Sequence, residues 1–295
     1  MEHTLLEPAI SNPALTPGIR VLLEPEVANA AELCQRVQIN TGSRRIAADR
    51  DDDARYAGGI FVPADNWARP TAQELALLAA NGTAGTDPPS RTIRLFPIPQ
   101  YLYRLAWDVG IDAILSQPPP GPQAADPLLA AFCAEAARLM RIVYAPATSL
   151  TLQLRNPELA STTYDTDAGT AIGLHVDNFD RHAIDRRHQS RSRVVVNLGT
   201  EPRSLVFINL DVMQLVDACN LARSVEVFER YRWAYPLAQL FMATHPDYPV
   251  VRLQLHPGEG YLASTQNFIH DGYTVGMAAP DLTLHAVPQA DPERG

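Results

Sequence analysis

"GLHVDNFD", residues 173–180, sets a histidine and an aspartate two positions apart with a valine between them. In an extended strand residues i and i+2 share a face, so His175 and Asp177 present an imidazole and a carboxylate side by side while Val176 turns toward the core. A third ligand must then come from elsewhere, and a set of two histidines and one carboxylate leaves coordination positions open for reactants. The stretch "PGEGYLASTQNFIHDG", residues 257–272, reads as a tight turn, a strand, and a histidine, His270, where that strand ends. The predicted site is a mononuclear iron centre held by His175, Asp177 and His270.

A second triplet of the same form, His245-Pro246-Asp247, lies within "THPDYP". Proline at its centre and the turn composition around it argue against strand alternation, so it is read as a decoy. The sequence around the first triplet is strand-like. Residues 149–155, 193–199, 203–210, 250–255, 260–264 and 282–287 carry β-branched or alternating apolar side chains bounded by turn residues. Between the third and fourth of these lies a helical insert, about residues 211–243.

Upstream, residues 1–145 read as mainly helical support. A short amphipathic helix is expected over 26–37, and a second opens at the capping box Thr71–Glu74 and closes at Asn81-Gly82. A third covers about 99–115, ahead of the helix-breaking "QPPPGPQ" at 117–123. Asp126-Pro127 then opens the strongest helix, with Leu128, Leu129, Phe132, Ala136, Leu139, Met140 and Val143 at helical spacing. The expectation is one domain over 1–295 of class α+β, with its β core in residues 146–290.

Composition narrows the chemistry. All 24 basic residues are arginine, so there is no lysine for a phosphate-binding loop, a Schiff base or a general base. Any anionic group that needs a charged clamp must be held by an arginine fork. The net charge of -9 and the lack of a basic stripe argue against a nucleic-acid or anionic-membrane partner. Cys34, Cys133 and Cys219 are odd in number and widely spaced, which reads as reduced thiols in a cytoplasmic protein. No signal peptide and no run of 18 apolar residues is visible. HExxH, GxSxG, CxxC and a strand-following GxGxxG are also absent.

The arrangement of His175, Asp177 and the distal His270 resembles that of the Fe(II)/2-oxoglutarate-dependent dioxygenases, over about residues 149–287. The resemblance implies a double-stranded β-helix (jelly-roll) core, with Fe(II) and 2-oxoglutarate as cofactor and cosubstrate. It also implies dioxygen-driven hydroxylation or desaturation of a small molecule, for example an amino acid or a natural-product intermediate. Asp177 stands where halogenating relatives have a small residue, which turns the expectation away from halogenation.

One departure stands out: "DGYTVGMAAPDLTLHAV", residues 271–287, lacks the arginine with which many members hold the distal carboxylate of 2-oxoglutarate. A jumonji-like arrangement would use Arg203, at the head of a strand, with Arg193 as second candidate. Gln153 and Arg155, on one face of the strand preceding the triplet, are further candidates for the lining of that cavity. Arg191 and Arg193 lie in a basic loop that faces either solvent or an acidic, carboxylate-bearing substrate. The insert is expected to act as a lid, with Tyr231, Trp233 and Tyr235 either touching substrate or packing. Other readings stay open: an iron oxygenase that needs no 2-oxoglutarate, a cupin-like module with His256 or His285 as fourth ligand, and a metal-free binding barrel. Nothing in the sequence speaks to oligomeric state.

Overall fold

The computed structural model describes residues 15–24, 30–47, 55–80, 88–115, 127–143 and 147–288. Its first strands are β1 (Arg20–Leu23), β2 (Val37–Ile39), β3 (Ser43–Arg45), β4 (Phe61–Pro63) and β5 (Thr92–Pro97). Then come β6 (Ala147–Arg155), β7 (Tyr164–Asp165), β8 (Thr170–Ala171), β9 (Arg193–Asn197) and β10 (Arg203–Asp211). The last are β11 (Val251–Leu255), β12 (Glu259–Ala263), β13 (Phe268–Tyr273) and β14 (Asp281–Pro288). The helices are α1 (Ala30–Arg36), α2 (Ala72–Leu78), α3 (Gln100–Asp108), α4 (Ile111–Leu115), α5 (Pro127–Val143), α6 (Val212–Ala218), α7 (Val225–Arg230) and α8 (Tyr235–Thr244).

Two sheets organise this α+β fold, in the orders β1-β5-β12-β9-β14-β6 and β13-β10-β11-β2. The β1–β5 pair is parallel, and the other pairs within these two sheets are antiparallel. Side-chain alternation sorts the strands into layers. Leu205 and Phe207 of β10 join Val195, Tyr261 and Ala263 in a core between the sheets, whereas Val206 and Ile208 point the other way, toward α6 and α8. Every residue of β10 is buried, which is why its centre, residues 205–208, is a continuous apolar run rather than an alternating one. On the six-stranded sheet, Val194, Val196, Leu282 and Leu284 pack outward against Leu102, Ala106, Phe132 and Ala136 of α3 and α5.

The helix over 26–37 shortens to α1, and its last residue, Val37, begins β2. The box at Thr71 is formed: its hydroxyl accepts from the Glu74 N–H and the Glu74 carboxylate accepts from the Thr71 N–H. The helix over 99–115 is broken at Gly110, which takes φ +65 between α3 and α4. Asn81-Gly82, the proline tract 117–123 and Asp126 lie outside the described residues.

Two expectations need correction. The first half contributes strands as well as helices: β1 and β5 extend one sheet and β2 the other. The insert exists as α6, α7 and α8, but its apolar side is taken up by the outer face of the four-stranded sheet. Val212, Leu215, Val216, Leu237, Phe241 and Met242 pack there with Val206, Ile208 and Ile269. Among the described residues no helix is long and apolar enough to cross a membrane.

Candidate metal centre

His270 lies within β13, directly opposite Phe207 of β10, so its ring faces the space between the sheets. This corrects the reading of a strand-ending histidine: Asp271-Gly272 looks like a turn but continues the strand. The Asp271 carboxylate is satisfied on the outer face by the Ser161 hydroxyl, the Thr163 N–H at 3.2 Å and the Thr163 hydroxyl at 2.9 Å. On the inner face Gly272 leaves room that a side chain would take. A Cβ there would stand 2.1 Å from Thr162 Oγ1 and 2.6 Å from Arg203 Nη2.

The 173–177 segment joins the far side of β13 by a single bridge rather than a full strand. His175 donates its N–H to the His270 carbonyl at 3.1 Å and accepts from the His270 N–H at 2.8 Å. The chain then leaves the ladder, because the Asp177 N–H donates to the Thr265 carbonyl. Alternation still holds across the bridge, with Val176 buried in the outer core and the two flanking side chains on the other face. Gly173 sets the entry to this segment. It takes φ +77, and a Cβ would fall 2.4 Å from the Phe61 carbonyl oxygen. Its N–H donates to Ser161 Oγ at 3.0 Å, and its carbonyl accepts from His175 Nδ1 at 2.8 Å.

That last bond fixes the tautomer. A carbonyl can only accept, so the proton sits on Nδ1 and the Nε2 lone pair faces inward. His270 repeats the pattern, with Nδ1 3.3 Å from the Phe268 carbonyl. Both Nε2 atoms converge on Asp177: His175 lies 3.7 Å from Oδ1 and His270 3.6 Å from Oδ2. One ligand atom from each of the three residues lies within 4.8 Å of the others, close to the roughly 4.2 Å that two donors each about 2.1 Å from one ion can span. Asp177 Oδ2 is buried without a hydrogen bond, although Arg193 Nη2 stands 3.2 Å away as an ion-pair partner. An orphaned carboxylate oxygen facing two imidazole lone pairs fits a cation, and His175, Asp177 and His270 form the sole such ligand group among the described residues.

The electrostatics agree with that fit. Burial works against ionisation of Asp177, but Arg193, His175 and His270 outweigh it and hold the carboxyl well below its usual range. Burial also disfavours a charged His175, but the nearby carboxylates of Asp177 and Asp271 outweigh it and raise its proton affinity. His270 is pushed down to about 3, first by burial and then by the charges of His175 and Arg193.

Beside the cluster a cavity is lined by His270 together with Gln153, Arg155, Arg193, Arg203, Tyr261 and His285. Arg203 is buried, and its Nε donates to both oxygens of the buried Asp281, at 2.9 and 3.2 Å. Arg193 stands over the ring of Phe179. Arg191 stacks on the same ring and pairs with Asp180. His285 lines the cavity but is not in the ligand group, and its proton affinity is lowered well below normal by burial and by Arg193 and Arg203. His256 is likewise outside the group. His245 ends α8 with its ring stacked on Phe241, and Asp247 is exposed. Tyr231 packs against the outer core, Tyr235 is half-buried and Trp233 is 59% exposed. Ser161, Asp271, Asp281 and Arg187 carry no signal in the sequence, since no fixed spacing links them to the residues they contact.

No family model matches the chain, and no curated protein matches it. Among solved structures it is similar to the apo form of the Kdo hydroxylase KdoO, a non-heme Fe(II) alphaketoglutarate-dependent dioxygenase. The TM-score is 0.41 and the identity 13%, over 68% of this chain and 79% of that one. The cobalt(II) complex of KdoO gives 0.40 and 15%, over 68% and 80%. The complex with alphaketoglutarate and Fe(III) gives 0.38 and 14%, over 68% and 79%.

Proposed function

We propose that this chain is a mononuclear non-heme iron oxygenase that uses 2-oxoglutarate and dioxygen to hydroxylate, or desaturate, a small molecule. The observation that carries the reading is the buried group of two Nε2 lone pairs and an orphaned carboxylate oxygen beside an arginine-lined cavity. The order in which the chain visits the two sheets supports a double-stranded β-helix within a single domain. From β6 it passes to the His175 bridge, then β9, β10, β11, β12, β13 and β14, and both central pairs, β9–β14 and β10–β13, join strands distant in sequence.

In this reading His175, Asp177 and His270 would hold Fe(II). Bound iron with 2-oxoglutarate supplies the oxidising chemistry, coupling dioxygen reduction to decarboxylation of 2-oxoglutarate and oxidation of a substrate C–H bond. The chain's part is to bind, orient and exclude water. The Gly173 and Phe268 carbonyls keep the proton of each imidazole on Nδ1, so that Nε2 is the ligand atom. Arg203 is the proposed anchor for the distal carboxylate of 2-oxoglutarate: Asp281 fixes its Nε, and its Nη2 lies over Gly272 at the cavity wall. Arg193, beside Asp177 Oδ2, is better suited to hold that ligand and to meet negative charge on a carboxylate-bearing substrate.

One observation favours a second reading. Asp281 already neutralises Arg203, which is what an iron oxygenase without 2-oxoglutarate would show. The test is release of succinate from 2-oxoglutarate by iron(II)-loaded protein in air, with His175→Ala as control. Succinate that depends on His175 is the expected result. Stoichiometric iron without succinate would leave the second reading, and no iron binding would remove both.

A further inference from the structure

Arg187, in the 3-10 turn Ile184–Gln189, is fully buried. Its Nη1 donates to the Asp177 backbone carbonyl at 2.7 Å, and its Nη2 donates to Asn178 Oδ1 at 2.6 Å and to the Arg232 carbonyl at 2.7 Å. Its Nε has no hydrogen-bond partner, and among the described residues no carboxylate lies within ion-pair distance. A cation kept from water on neutral acceptors is costly, and an apolar side chain of similar size would fill the space without that cost. Stability alone therefore gives a poor account of an arginine here.

Geometry gives a better one. A planar fork grips several oxygens in fixed directions, as a flexible ammonium does not. One end of the fork holds the main chain of Asp177, whose carboxylate faces His175 and His270. The other holds the turn between α7 and α8. In that turn Ala234 is buried at φ +57, an uncommon conformation for alanine, and the neighbouring Trp233 stands exposed. A single guanidinium thus spans the ligand segment and the turn that carries an exposed aromatic ring.

We propose that Arg187 is a positioning residue that sets Asp177 for the metal and ties that ligand to the α7–α8 turn. This rests on the metal reading of His175, Asp177 and His270. The test uses the full chain and cobalt(II) alone, with no cosubstrate. Folded Arg187→Gln is expected to bind cobalt(II) about ten- to a hundredfold more weakly, as loss of an outer partner does, with shifted visible bands. A merely structural role would lower the melting temperature and leave both cobalt affinity and bands in place, which would overturn the proposal.

If Arg187→Gln does not fold, Asn178→Ala removes one of the three acceptors. A severalfold loss with a shifted spectrum then supports the proposal, and wild-type behaviour overturns it. The tie to the turn is read with zinc(II): the fluorescence that Trp233→Phe removes should respond to zinc in the wild type and not in the folded variant, and an unaltered response would overturn the coupling. If the wild type takes up no cobalt, or His175→Ala binds it equally well, the metal reading fails and this proposal with it.

Discussion

The chain holds the same triplet twice. His175-Val-Asp177 sits beside β13 with its histidine buried and its carboxylate largely so, while His245-Pro-Asp247 sits at the end of a helix with its carboxylate in solvent. Composition and spacing are alike, yet the surroundings differ in three ways. The first triplet is extended, so its two side chains share a face, whereas the second takes a helix-ending conformation with the His245 N–H bonded to the Phe241 carbonyl. His175 Nδ1 is held by a carbonyl that leaves Nε2 for a metal, while His245 Nδ1 meets the Thr244 hydroxyl. Only the first has another histidine, His270, across a bridge from it. A short motif acquires chemistry from the backbone that aims it and the burial that makes its charge costly.

The comparison breaks most sharply at the histidines. His175→Ala or His270→Ala should abolish stoichiometric iron(II) binding, a larger effect than the roughly 10–100-fold that an outer-shell change costs, and His245→Ala should keep it. Metal analysis after anaerobic gel filtration decides, and the reverse pattern would move the site to the second triplet. Next in size is Asp281→Ala, which leaves the buried Arg203 unpaired and should cost about 3–5 kcal/mol in urea unfolding. A loss below about 1 kcal/mol, typical of exposed pairs, would mean that Arg203 reaches water or another anion.

Gly173→Ala sharpens the role of the backbone. Its left-handed φ and the clash with the Phe61 carbonyl should cost about 1–3 kcal/mol, accompanied by weaker iron binding as the His175 contact shifts. Destabilisation with intact iron affinity would show that the Gly173 carbonyl does not orient the ligand. Arg203→Lys keeps the charge for Asp281 but loses the planar fork, and should weaken 2-oxoglutarate about tenfold, or 1.4 kcal/mol, while leaving iron affinity unchanged. An unchanged 2-oxoglutarate affinity would pass the role to Arg193 or remove the cosubstrate. The smallest effect belongs to His245→Ala, which loses one ring stack and should cost about 0.5–1.5 kcal/mol.

Much of the β half was legible because its strands are marked by alternation or by continuous apolar runs bounded by turn residues, and all six expected segments are strands within a residue or two. β13 reads as ending at His270 because Asp-Gly is a turn signal in isolation, whereas it runs on to Tyr273. Its aspartate is satisfied instead by Ser161 and Thr163, more than a hundred residues away. β1 and β2 are only four and three residues long and gain stability from pairing with β5 and β11, which no local pattern reveals. The placement of the insert was hidden for a related reason: periodicity tells which face of α6 and α8 is apolar, not which surface receives it. Of the site, the two-residue spacing showed His175 and Asp177, while His270 followed from the need for a third ligand. The supporting arginines carry no spacing signal, because each reaches its partner through the fold.

The most direct test of the metal and cosubstrate together is an anaerobic titration of iron(II)-loaded protein with 2-oxoglutarate, followed by visible absorption. A saturable metal-to-ligand charge-transfer band, lost in His175→Ala and kept in His245→Ala, is the predicted result. Iron bound stoichiometrically with no such band would contradict the assignment of 2-oxoglutarate to the cavity beside Arg203.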